Sequence, residues 1–224
     1  MAAHLSRVRS RLADACARAG RRPEDVRLIG VTKEVTPLAV GHAWEAGLTD
    51  FGENYAQDLA TKREAAPEGT WHFIGRLQRN KVRRILELAD VVHGLEPGGA
   101  ARRLAELADA TQPIDCLVEV DFTGERVGVA PESVESFLED LGDAPGLRIR
   151  GLMTIPPPDQ APRPYFARLR ELRDRLHPTH QALGELSMGM SADYEEAVEE
   201  GATMVRIGTA IFGSRPGDRR AGKP

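Results

Sequence analysis

Short apolar runs and amphipathic stretches alternate along nearly the whole chain, and this alternation restricts the fold more than any other feature of the sequence. Strand-like runs fall at 27–33, 49–52, 71–75, 90–93, 114–122, 147–154, 185–189 and 203–207. Between them lie helical patterns over 37–46, 54–65, 79–88, 98–110, 131–141, 163–176 and 192–200, with a short last helix starting near Thr209. Strands separated by helices have the crossovers that parallel pairing needs. Eight such units in 224 residues fit a single (β/α)8 TIM-type barrel of the α/β class, with an open doubly wound sheet as the alternative. Ahead of the first strand, Leu5, Val8, Leu12, Ala15 and Ala19 mark an extra N-terminal helix, stopped at Gly20 and followed by Pro23. No linker composition divides the chain, so residues 1–213 are expected to form one domain. The charged, Gly- and Pro-rich residues 214–224 are expected to form a flexible tail.

The net charge of −4 gives no general pull toward nucleic acid or an anionic membrane. Arg76, Arg79, Lys81, Arg83 and Arg84 crowd one segment, which reads as the solvated face of a helix. Cys16 and Cys116 have neither metal-ligand spacing nor a disulfide framework, which fits a reducing cytoplasm. No apolar stretch is long enough to span a bilayer, and the N-terminal arginines lack the apolar core of a secretory signal.

In a barrel of this kind, functional side chains sit at the C-terminal ends of the strands. Lys33 ends the first apolar run, Arg27-Leu28-Ile29-Gly30-Val31-Thr32-Lys33. A charge there is costly unless it is used, either in an ion pair, with Glu53 or Glu119 as partners, or as an amine that forms a Schiff base with an aldehyde or ketone. From this segment alone the ion pair is favoured. The seventh and eighth strands lead into Ser187-Met188-Gly189-Met190-Ser191 and Arg206-Ile207-Gly208-Thr209, the corner where such barrels frequently hold phosphate. Ser191 is a natural helix cap, and Gly208 admits a close ligand. Asn54, after the second strand, caps a helix or binds a ligand; Met153, ending the sixth, packs on a flat ring or fills core space. His72 reads as a hydrogen-bonded core residue with no evident acid partner.

An aldehyde-reactive lysine, a phosphate corner and a central arginine together point to pyridoxal 5′-phosphate (PLP). An arginine facing the pyridine nitrogen keeps that nitrogen unprotonated and the ring a poor electron sink, which argues against strong carbanion chemistry.

With these residues in place, the chain resembles the pyridoxal phosphate homeostasis proteins, single-domain PLP-binding barrels similar to the N-terminal domain of alanine racemase. The likeness runs over about residues 3 to 213. It is carried by Val31-Thr32-Lys33, Phe51-Gly52-Glu53-Asn54-Tyr55, Trp71-His72-Phe73-Ile74-Gly75, Arg150-Gly151-Leu152-Met153-Thr154, Ser187-Met188-Gly189-Met190-Ser191 and Val205-Arg206-Ile207-Gly208-Thr209. The resemblance implies a Schiff base on Lys33, with Arg206 facing the pyridine nitrogen. Ser191, Gly208 and Thr209 would lie at the phosphate, Ser187 and Gly189 nearby, and Asn54 and Met153 along the ring. Glu34-Val35-Thr36-Pro37 lacks the further lysines that many members carry after the Schiff-base lysine, and Arg126 stands where many have another lysine. The resemblance therefore does not carry a second PLP site onto this chain.

The implied role is intracellular PLP homeostasis, by buffering or by delivery to apo-PLP enzymes, without robust catalysis and as a monomer. The alternative is an amino-acid racemase, which needs acid–base groups on both faces of the Cα. The sequence ends soon after the eighth strand-like run and offers no second base. A ligand-free barrel acting through protein contacts has only the arginine-rich segment in its favour.

Overall fold

A computed structural model describes residues 1–142 and 144–213; the tail expected over 214–224 lies outside the described residues. The helices are α1 (Ala2–Arg18), α2 (Pro37–Glu45), α3 (Ala56–Ala65), α4 (Val82–Leu88), α5 (Gly99–Leu107), α6 (Val134–Leu141), α7 (Arg163–Leu176), α8 (Tyr194–Glu199) and α9 (Thr209–Phe212). The strands are β1 (Arg27–Val31), β2 (Asp50–Glu53), β3 (Thr70–Phe73), β4 (Val91–Leu95), β5 (Ile114–Glu119), β6 (Leu147–Met153), β7 (Glu185–Ser187) and β8 (Met204–Ile207). Every strand pairs in parallel with the next in chain order, and β8 closes on β1 with Ile207 opposite Gly30. The fold is thus the closed (β/α)8 barrel and not the open sheet.

Apolar side chains form two layers. The outer layer lies between barrel and helices and includes Leu5, Val8 and Leu12 of α1, Leu59 of α3, Ile85 of α4, Leu104 of α5 and Phe166 of α7, all buried. Burial of each Leu, Ile or Phe contributes about 1.5–3 kcal/mol. Phe51 and Trp71 stack within it at 5.1 Å between ring centroids. The inner layer fills the barrel with Ile29, Val91, Leu117, Met153 and Met204. The extra helix α1 packs on α8 and α9, where Arg18 donates to Glu199 at 2.7 Å and His4 meets the Ile211 carbonyl at 3.1 Å.

Several apolar runs outlast their strands because tertiary turns intervene. β1 stops at Val31, where the chain turns: Val35 N–H donates to the Thr32 carbonyl at 2.9 Å and Glu34 adopts φ 61°. Lys33 therefore lies two residues past the strand, half-buried, and not at its end as expected. β5 stops at Glu119 because Val120 and Asp121 turn to meet Val129, whose N–H donates to the Glu119 carbonyl at 2.8 Å. β7 stops at Ser187, since Gly189 bends at φ 91°. A Cβ at Gly189 would stand 2.5 Å from the Ala197 Cβ, so this turn requires glycine. The helical patterns at 79–88 and 131–141 each open with a 3₁₀ turn, Arg79–Lys81 and Pro131–Ser133.

Candidate functional site

The C-terminal ends of the strands bring the candidate residues to one mouth of the barrel. The loop after β1 carries Lys33 and the loop after β2 carries Asn54. Met153 and Ser187 end β6 and β7, Gly189 and Ser191 follow β7, and Arg206, Gly208 and Thr209 lie along the end of β8. β1 and β8 are neighbours: a Cβ at Gly208 would lie 3.5 Å from the Val31 Cβ, so the Lys33 loop and the Gly208 turn adjoin.

Lys33 makes no ion pair among the described residues. Of the two carboxylates proposed for it, Glu53 and Glu119, Glu53 is fully buried and belongs to Lys62 of α3, whose ammonium donates to Glu53 Oε2 at 2.5 Å and to the Thr32 carbonyl at 2.8 Å. Glu53 also accepts from Thr32 Oγ1 at 2.8 Å and from the Asn54 and Tyr55 amides at 2.6 and 3.0 Å. One buried ion pair thus ties together the loops that carry Lys33 and Asn54.

Capping does not account for Asn54 or Ser191. Tyr55 occupies the cap position of α3 and Asp193 that of α8, neither with a side-chain cap bond. Asn54 Oδ1 is buried with no hydrogen-bond partner among the described residues. Ser191 Oγ accepts from the Ala210 amide at 3.4 Å, joining the loop after β7 to the first turn of α9. The Ser191 and Ala192 amides donate to no acceptor among the described residues. Gly208 is half-buried, and Thr209, which opens α9, is exposed.

Arg206 is buried at 5% exposure. It donates from Nη1 to Ser187 Oγ at 2.5 Å and from Nη2 to the Thr154 carbonyl at 3.1 Å. Burial lowers its pKa to about 10, against the opposing charges of Glu119 and Asp193, so it stays protonated at neutral pH. Ser187 is fully buried behind it, its hydroxyl also 2.9 Å from His93 Nδ1. Met153 belongs to the inner apolar layer beneath the mouth.

His93 escapes the sequence reading, and Glu119 enters it only as an ion-pair partner for Lys33. Glu119 ends β5 beside Gly94, with its carboxyl pushed up to about 7 by burial against the pull of Arg206. His93 lies next to His72, 2.9 Å between ring nitrogens, and His72 has the acid partner the sequence did not reveal, Asp50 at 3.1 Å.

Residues 3–216 match the alanine racemase N-terminal domain family. The chain belongs to this family. Among its relatives is the pyridoxal phosphate homeostasis protein of Aquifex aeolicus (strain VF5), 43% identical over 220 residues that cover 94% of this chain and 96% of that protein. The protein of the same name from Escherichia coli (strain K12) is 36% identical, covering 96% of this chain and 97% of its own length. Among solved structures, PipY of Synechococcus elongatus PCC7942 with PLP bound is 33% identical with a TM-score of 0.80, over 90% of this chain and all of that one. Alanine racemase from Corynebacterium glutamicum shares the fold at 19% identity and a TM-score of 0.66, with 62% of that chain covered.

Proposed function

We propose that this chain binds PLP as a Schiff base on Lys33 and serves PLP homeostasis in the cytoplasm, as a monomer that buffers the cofactor or delivers it to apo-PLP enzymes. The observation that carries the reading is Lys33: an amine at the barrel mouth with no ion pair among the described residues, on a loop beside the Gly208 turn. The surrounding groups fit the cofactor. Asn54 Oδ1 is a buried acceptor in need of a donor, at a cost of about 1–3 kcal/mol while it lacks one. The Ser191 and Ala192 amides, which donate to no acceptor among the described residues, could meet an anion. Arg206 uses Nη1 and Nη2 on the protein and keeps further N–H groups for a ring acceptor. The PLP-bound relative at 33% identity and the relatives named for PLP homeostasis support the same reading.

When bound, PLP supplies a reactive aldehyde and a ring able to withdraw electrons. Lys33 would hold the aldehyde carbon, Arg206 would donate a hydrogen bond to the pyridine nitrogen without giving up its proton and so keep that nitrogen unprotonated, and the loops after β7 and β8 would hold the phosphate. This arrangement favours storage of the cofactor over turnover of amino acids.

The test is to add PLP to the purified protein, follow visible absorption, reduce with borohydride and map the adduct. We expect a visible band that borohydride bleaches, a covalent adduct on Lys33, and negligible racemisation in a chiral amino-acid assay. A Lys33→Ala variant with an unchanged spectrum would overturn the Schiff-base assignment, and steady Lys33-dependent racemisation would overturn the storage role.

A further inference from the structure

The barrel interior holds a continuous polar chain that runs from the mouth to the opposite face. Arg206 Nη1 meets Ser187 Oγ at 2.5 Å, Ser187 Oγ meets His93 Nδ1 at 2.9 Å, His93 Nε2 meets His72 Nδ1 at 2.9 Å, and His72 Nε2 meets Asp50 Oδ1 at 3.1 Å. These five side chains come from β8, β7, β4, β3 and β2. Asp50 is the first residue of β2, so the far end of the chain sits at the N-terminal side of the barrel.

The two ends fix every proton between them. A guanidinium only donates, and an ionised carboxylate only accepts. Burial alone would raise the Asp50 carboxyl, but its hydrogen bonds from His72 and Thr49 and the charge of Arg27 hold it below the usual range, so it is ionised. Burial pushes both histidines below their ordinary values, so both rings are neutral at pH 7. A neutral His72 facing a carboxylate must carry its proton on Nε2, which leaves Nδ1 as an acceptor. His93 must then donate from Nε2, and its Nδ1 must accept from the Ser187 hydroxyl, whose oxygen accepts from Arg206. All four hydrogen bonds point the same way, from Arg206 to Asp50, and chains of this kind strengthen cooperatively.

We propose that Ser187, His93, His72 and Asp50 are positioning residues for Arg206, a one-way hydrogen-bond chain that fixes the plane of the guanidinium presented at the barrel mouth. The identity of the ligand rests on the PLP reading above; the chain itself does not. If Ser187 is removed, Arg206 keeps only the Thr154 carbonyl among these anchors and can rotate about it.

The test uses the full chain labelled with 15N, at pH 7, first without PLP. Long-range proton–nitrogen spectra are expected to show both histidines neutral and protonated at Nε2. The Arg206 Nη1 and Nη2 protons are expected as resolved, slowly exchanging signals in the parent. They should be averaged or lost in Ser187→Ala and in His93→Gln. A protonated or Nδ1–H histidine at either position, or unchanged Arg206 signals in both variants, would overturn the proposal. A titration with PLP then gives a second readout. Ser187→Ala and His93→Gln should each weaken PLP binding about tenfold, whereas Val92→Ala should leave it within twofold, because Val92 packs in the outer apolar layer beside His93. Equal weakening by Val92→Ala would reduce the chain to ordinary core packing and overturn the positioning role. If the parent binds no PLP, the proposed function fails, while the histidine and arginine signals still decide the chain.

Discussion

Glu119 shows how the barrel mouth biases a single residue. Burial raises its carboxyl from an ordinary value of 4.5 to about 7, despite the pull of Arg206 and Arg126 and assisted by Glu96 and Asp121. A carboxyl with a raised value holds its proton more tightly folded than unfolded. Stability from this residue is therefore greatest below the unfolded value and is lost as pH rises from about 4.5 to about 7, after which it is flat. Urea unfolding of the PLP-free protein should show that decline, and Glu119→Gln should remove it, leaving the variant more stable than the parent at pH 8 by roughly 1–3 kcal/mol. Parallel pH profiles for the two proteins would rule the carboxyl out as the source. Lys33 and Arg206 were legible in the sequence because each places a full charge at the end of an apolar run, and burial of charge demands a reason. His93 was not, since alternation reports only that a residue faces inward. Its partner Ser187 lies 94 positions away and is brought to it by closure of the barrel.

At the scale of elements, the joints between strand and helix carry the site, and the buried pair Glu53–Lys62 sets two of them. Lys62 sits on α3 at 4% exposure, and its ammonium reaches over to the Thr32 carbonyl just before Lys33. Truncating one partner of a buried pair strands the other charge, so Lys62→Met should cost about 3–5 kcal/mol in chemical unfolding. The double variant Glu53→Gln/Lys62→Met should recover a good part of this loss, because the glutamine oxygen can still accept from the Asn54 and Tyr55 amides. Additive losses would mean that the pair is not coupled. The elements themselves were readable from periodicity, because helices such as α5, α6 and α7 bury an apolar stripe and strands such as β5 are apolar and buried over most of their length. Their ends were not. The chain leaves β1 where Val35 N–H bonds back to the Thr32 carbonyl, β5 where Val120 meets Val129, and β7 where Gly189 bends at φ 91°, none of which the apolar pattern reports.

For the whole molecule, closure is what turns scattered motifs into one site, and it makes ligand binding and folding parts of the same equilibrium. The groups around the mouth come from β1, β2, β6, β7 and β8 together with the loops that follow them, and they meet only when β8 pairs with β1. An unfolded chain offers lysines but neither the buried Arg206 nor the ordered loops after β7 and β8. PLP should therefore bind the folded state preferentially and stabilise it in proportion to the logarithm of its free concentration. At about one hundred times its dissociation constant the gain is about 2.7 kcal/mol. For a barrel of this length that corresponds to a rise in melting temperature of about 5–11 °C. Differential scanning fluorimetry across a PLP series should follow this logarithmic rise in the parent. In Lys33→Ala the curve should shift to higher PLP by the factor the covalent bond contributes, while the melting temperature without PLP stays within about 2 °C of the parent, because Lys33 makes no ion pair among the described residues that its removal would break. A Lys33→Ala protein that melts far below the parent in the absence of PLP would show that this lysine holds the fold together and is not held in reserve for a ligand.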